Sequence, residues 1–179
     1  MNNKCRNRQM QKAAKLQQAQ PKILVSACLI GECVRYKGDS CPQNLLLSPK
    51  VRKKILPFCP ECAGGLSTPR PPAEIRGEGG GAAVWRHKAQ VINNQGKDVT
   101  QAYQRGAKLC LKVMQKYQLN IAILKQRSPS CGTEEIYDGS FSVTKISGQG
   151  VTAALLTRHG ITLYSEEELS PALLATLLA

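Results

Sequence analysis

Ile121-Ala122-Ile123-Leu124 followed by Arg127-Ser128-Pro129-Ser130-Cys131-Gly132 is the stretch on which the fold turns. The first four residues read as a short buried strand, and the Pro and Gly beyond them mark a loop. Two earlier stretches repeat the arrangement. Cys28 follows Ile23-Leu24-Val25, and Cys59 follows Ile55-Leu56-Pro57-Phe58. In an open parallel sheet, ligands bind in the crevice outside the strand C-termini. Three thiols far apart in sequence are thus expected to converge on one crevice and to hold a metal cluster between them.

The rest of the chain supplies the helices that such a sheet needs. Ser48 is expected to cap a short helix with Pro49 at its first position. Cys59-Pro60-Glu61-Cys62-Ala63-Gly64-Gly65 is followed by a rigid loop through Thr68 to Ile75, whose prolines forbid helix. Residues 77–81 read as a flexible turn, 83–91 as a strand entering a turn or small hairpin, and 101–117 as a helix capped by Thr100. Tyr103, Ala107, Cys110, Leu111 and Met114 fall on one face of that helix. Residues 137–140 have turn composition and 151–158 read as a helix closed by His159-Gly160. Residues 161–164 read as a strand, and Ser165 is expected to cap the final helix. Strands alternating with helices predict a single α/β layered domain, Rossmann-like, with a mainly parallel sheet and cysteines at the strand C-terminal ends.

Length and composition are consistent with that reading. A chain of 179 residues with 42% hydrophobic content suffices for one well-buried domain. Residues 22–179 are taken as that domain and 1–21 as a basic tail, disordered or loosely helical. Lys4, Arg6, Arg8, Lys12, Lys15 and Lys22 account for about half of the net charge of +13, so the excess does not define a basic face on the domain. Contact of the tail with an anionic polymer such as RNA is left open. No apolar run approaches the roughly 20 residues of a membrane helix, and no signal-peptide core is present. A soluble, cytoplasmic protein is expected, without membrane partners; oligomeric state is left undetermined.

Eight cysteines and only two histidines, in a chain expected to stay in a reducing compartment, favour metal or thiol chemistry over a disulfide framework. Thiolates suit zinc or iron–sulfur centres. Three ligands, Cys28, Cys59 and Cys131, would leave a metal position open for chemistry; a fourth, Cys62, would close a tetrahedral zinc site. Cys59-Pro60-Glu61-Cys62 is also a Cys-x-x-Cys unit, but the glycines and prolines after it make a long activating helix improbable, which disfavours a thioredoxin-type pair. Glu61 and Asp39 are candidate proton donors or acceptors. Arg35, Arg70, Lys125 and Arg127 offset the negative charge of clustered thiolates, and Ser128 and Ser130 are possible hydrogen-bonding groups. Cys5 and Cys110 read as incidental and Trp85 as a packing residue.

Taken in order, these motifs resemble a known family. Val25-Ser26-Ala27-Cys28-Leu29-Ile30-Gly31 with Arg35-Tyr36, Phe58-Cys59-Pro60-Glu61 with Gly64-Gly65-Leu66, Thr68-Pro69-Arg70-Pro71-Pro72-Ala73-Glu74-Ile75, Leu124-Lys125 and Ser128-Pro129-Ser130-Cys131-Gly132 look like the thiouracil desulfidase (TudS) family, over about residues 22–165. The resemblance implies a [4Fe-4S] cluster held by Cys28, Cys59 and Cys131, with the fourth iron free for a substrate's sulfur. It also implies removal of sulfur from a thiolated pyrimidine such as 2-thiouracil, giving uracil and sulfide. Glu61 is then expected to do the proton work, with Ser130 facing the substrate and Asp39 in reserve. Cys62 stands where the family commonly has an aliphatic residue, so that it would close the open iron, carry a persulfide or only pack. The alternative is a non-catalytic, zinc-binding protein that uses its tail for RNA or protein contact.

Overall fold

The computed structural model describes residues 20–179, so all but the last two residues of the expected basic tail 1–21 lie outside the described residues. Four parallel strands form the central sheet: β1 (Ile23–Ser26), β2 (Ile55–Phe58), β5 (Ile121–Leu124) and β8 (Thr162–Ser165), in the order β2-β1-β5-β8. Ile23 pairs with Ile55, Leu24 with Ala122, and Leu124 with Ser165, so the strands end nearly level. The chain leaves β1 for β2 on one side and returns to β5 on the other. The β1/β5 boundary is therefore a topological switch point, where open α/β sheets place their ligands.

Side chains alternate across β1 and separate two cores. Ile23 and Val25 face Leu174, Leu177 and Leu178 of the C-terminal helix Pro171–Leu178. Leu24 faces the other way, with Leu56 and Leu124, toward Cys110, Val113 and Met114 of the helix Thr100–Lys116 and Ala153 and Leu156 of the helix Val151–Arg158. Helix, sheet and helix thus form three layers, the expected Rossmann-like α/β arrangement. In chain order the helices are α1 (Pro49–Arg52), α2 (Pro60–Ala63), α3 (Gly80–Trp85), α4 (Thr100–Lys116), α5 (Val151–Arg158) and α6 (Pro171–Leu178). Two antiparallel pairs, β3 (Ala73–Arg76) with β4 (Gln90–Asn93) and β6 (Glu135–Tyr137) with β7 (Lys145–Ser147), are attached outside the sheet.

Several local expectations are met. Ser48 accepts the Val51 amide and caps α1, α5 has its expected bounds, and the Trp85 indole packs in place by donating to the Val151 carbonyl at 2.9 Å. Others need correction. The strand expected at 83–91 is instead helix α3 followed by β4. A Cβ on Gly81 would lie 2.3 Å from the Gly150 oxygen, so the glycines there permit close helix packing rather than a flexible turn. A helix of six residues is too short to display its period in sequence. The 68–75 segment is loop only to Pro72, because Ala73 already pairs with Asn93. Thr100 does not cap α4; its hydroxyl accepts the Val91 amide at 2.9 Å. Ser165 opens a 3₁₀ turn over Glu166–Glu168, and the final helix is capped by Ser170, which accepts the Leu173 amide at 3.1 Å.

Candidate metal centre

Each of the three expected thiols leaves its strand within a few residues. Cys28 lies on a 3₁₀ turn, Ala27–Ile30, directly after β1. Cys59 is the N-cap residue of α2, immediately beyond β2. Cys131 ends the loop after β5. All three are buried and line one cavity of about 550 Å³ above the strand ends. Among the described residues, no three His, Cys, Asp or Glu side chains gather around a point that a single ion would fill. Thiols spread around a cavity wall suit a multinuclear cluster better than one zinc ion, whose sulfur ligands all stand at about 2.3 Å.

The loop carrying Cys131 is held by side chains rather than by regular structure. The Gln126 carboxamide oxygen accepts the amides of Thr133, Glu134 and Glu135 at 3.0 to 3.3 Å. Glu166 accepts the Gln126 amide at 2.7 Å and pairs with Lys125. The Lys125 amide donates to Ser26 Oγ at 3.0 Å, joining β5 to β1 at the switch point. Thus a loop with no ladder of its own is fixed to the sheet by buried hydrogen bonds.

Glu61 is clamped on one oxygen. Its Oε2 accepts Arg70 Nε at 2.9 Å, pairs with Arg70 Nη2 at 2.7 Å, and accepts the Tyr103 hydroxyl at 3.3 Å. Its Oε1 accepts a 3.3 Å bond from Ser128 Oγ. Ser128 Oγ in turn accepts the amides of Ser130 and Cys131 at 3.1 and 3.0 Å. Arg70 is fixed by the carbonyls of Ser67 and Val34, each at 2.9 Å. The carboxylate therefore has a fixed orientation beside two of the thiols.

Without metal, the thiols are poor acids. Burial raises Cys131 to about 12, with Glu61 adding to the rise and hydrogen bonds from Ser26, Ser130 and Ser128 opposing it. Cys28 is raised by its hydrogen bond with Cys41 and then by burial; Cys59 is raised by its hydrogen bond with Cys62 and then by burial. Binding of metal must displace these protons. The rise at Cys59 also removes the activation that a thioredoxin-type pair needs.

The structure brings Cys28, Cys59, Cys131 and Glu61 together, with Arg35, Arg70, Lys125, Arg127 and Ser128 along the same wall. It turns Ser130 away. Ser130 is fully buried and its hydroxyl pairs with Thr152 Oγ1 at 2.8 Å, so the serine facing the cavity beside Glu61 is Ser128. Cys62 is also fully buried and off the cavity wall, with its sulfur 3.9 Å from the Val34 carbonyl and 3.5 Å from Thr68 Oγ1. The four-thiolate zinc site through Cys62 is accordingly not assembled. Asp39 is drawn into an ion pair with Arg35 at 2.8 Å, off the cavity wall. Tyr103 is the residue the sequence concealed, since it counts equally as a core position of α4; its hydroxyl on an otherwise apolar face was the available signal. Cys110 is a buried thiol in the core, as its helix position suggested.

Fold and site define a Rossmann-like α/β protein with a thiol-lined ligand cavity at the switch point of its sheet. Residues 23–168 match the model of the 2-thiouracil desulfurase family, and the chain belongs to that family. It is 45% identical over 148 residues to the uncharacterized protein YbbK of Bacillus subtilis (strain 168), covering 83% of this chain and 97% of the relative. It is also similar to a solved structure described as a [4Fe-4S]-dependent thiouracil desulfidase, TudS. There the TM-score is 0.76 and the identity 44%, over 89% of this chain and 99% of the other. No helix among the described residues is long and apolar enough to cross a membrane.

Proposed function

We propose that this protein is an iron–sulfur-dependent desulfidase that removes sulfur from thiolated pyrimidines such as 2-thiouracil, giving uracil and sulfide by hydrolysis. The observation that carries the reading is the convergence of three buried thiols from adjacent strand ends on one cavity, beside a carboxylate fixed by Arg70, Tyr103 and Ser128. Cys28, Cys59 and Cys131 would hold a [4Fe-4S] cluster, the group named for the solved relative. With three protein ligands such a cluster supplies one iron free to bind the thiocarbonyl sulfur and act as a Lewis acid.

The chain's own residues then handle water and protons. Arg70 and Tyr103 occupy Glu61 Oε2, which directs Oε1 toward the cavity as the base that takes a proton from the attacking water. Ser128 Oγ orients that carboxylate. That proton passes to the departing sulfur and the remaining hydroxyl proton leaves oxygen as the carbonyl forms and the carbon–sulfur bond breaks, so that thiouracil and water yield uracil and hydrogen sulfide with no net redox change. Ser130 serves this arrangement from behind, through its hydrogen bond to the Cys131 sulfur.

The closed zinc reading is disfavoured by the placement of Cys62. Anaerobic reconstitution tests the proposal: about four irons and four sulfides per chain, and sulfide release from 2-thiouracil, are the expected result. Glu61→Gln should retain the iron and lose sulfide release by roughly 10²-fold or more. A protein that takes up no iron, or a Glu61→Gln variant of full activity, would overturn it.

A further inference from the structure

Five of the chain's eight aromatic residues line the cavity: Tyr36, Phe58, Tyr103, Tyr137 and Phe141. Phe58 is fully buried in the core and Tyr103 is committed to Glu61. Phe141 is different. It sits on the loop 138–144 between β6 and β7, is half-buried, and belongs to none of the three buried cores. Val143, two residues on, also lines the cavity yet is 72% exposed, which places it at the mouth.

The loop is constructed at a conformational cost. Phe141 and Val143 both adopt left-handed backbone angles, φ 61° and 66°, and for a β-branched residue this is a genuine outlier. Such strain persists only where the surroundings impose it. Here the Glu74 carboxylate, only 9% exposed, accepts the amides of Gly139 and Phe141, both at 3.0 Å. Gly139 lies so close to β3 that a Cβ would be 2.6 Å from the Ile75 oxygen. Packing does not require Phe141 and Val143 to be where they are, because they fill no core.

We infer that Phe141 is the surface on which the planar ring of the substrate stacks, that Val143 closes the ring's outer edge, and that Glu74 is the positioning residue that holds the loop over the site. This makes Phe141 the residue that selects a conjugated heterocycle among thiocarbonyl compounds. The inference rests on the desulfidase reading above.

The test uses the anaerobically reconstituted holoenzyme and 2-thiouracil. Phe141→Ala should raise KM roughly tenfold, the loss expected for one base–aromatic stack, with kcat and iron content within twofold of wild type. Phe141→Tyr should keep a near-normal KM. Glu74→Gln should also raise KM, and in the Phe141→Ala background it should add little, because both act through one ring. If Phe141→Ala fails to hold its cluster, Phe141→Leu, which keeps apolar volume without the π face, takes its place with the same expected rise. Unchanged KM in the Phe141 variant, or full additivity with Glu74→Gln, overturns the inference while leaving the desulfidase reading intact. A wild-type protein with full cluster content and no sulfide release overturns both.

Discussion

Cys62 is three residues from a proposed cluster ligand and hydrogen-bonded to it, yet its sulfur is directed into the core between Val34 and Thr68. Position along the chain and position in the site are here decoupled by one turn of helix. Cys62→Ala should therefore keep its iron within twofold and lose only about 1 to 2 kcal/mol of stability, as for a small buried truncation; Cys59→Ala should lose its iron, and anaerobic iron and sulfide analysis separates the two. Cys131 gives a prediction in pH. Burial raises its thiol from 9.0 to about 12, so the folded, metal-free chain holds the proton more tightly than the unfolded chain. The resulting stability is complete below the ordinary thiol pKa and declines as pH rises from about 9 toward 12. Denaturant titrations of metal-free protein should show this decline, at most roughly 1.4 kcal/mol per pH unit from this group, and Cys131→Ser should make it shallower while leaving the share of the other raised thiols, Cys28 and Cys59.

Among the elements, the single turn of α2 is the most constrained, because it carries Glu61 and begins at Cys59. It crosses α4 at two glycines. A Cβ on Gly106 would lie 1.9 Å from the Pro60 oxygen, and one on Gly64 would lie 2.0 Å from the Ala102 oxygen. These are backbone contacts, which no side-chain rotation relieves. Gly106→Ala should cost about 1 to 3 kcal/mol, the range for overpacked cores, and lower sulfide release by displacing Glu61 from Arg70. Lys112→Ala, exposed on the same helix, should stay within about 0.5 kcal/mol. Thermal melts with a parallel sulfide assay check both. A melting temperature unchanged by Gly106→Ala would contradict this account of how α2 is held.

At the scale of the whole molecule, the sheet places the site and both termini of the described chain close to its first strand. The Lys22 amide donates to the Lys54 carbonyl at 2.7 Å, and α6, beyond the family match, packs Leu174, Leu177 and Leu178 against Ile23 and Val25. Every residue proposed for the chemistry lies after Ser26. Removal of residues 1–19 should thus leave sulfide release from free 2-thiouracil within twofold, measured on reconstituted protein; a tenfold loss would assign the basic tail a part in the reaction. The sequence by itself determined the four short apolar strands, the thiols just beyond three of them and the acid beside Cys59. The first three strands are local signals, carried by largely buried runs with Cys, Gly or Pro soon after them, and β8 is marked by the Gly160 that closes the helix before it. What only the tertiary structure decided was direction and company: Ser128 rather than Ser130 facing Glu61, Cys62 turned into the core, α3 in place of a strand, and Glu74 holding Phe141 over the cavity. Those outcomes depend on partners 22 to 67 residues away in the chain, at contacts that exist only after the layers have packed.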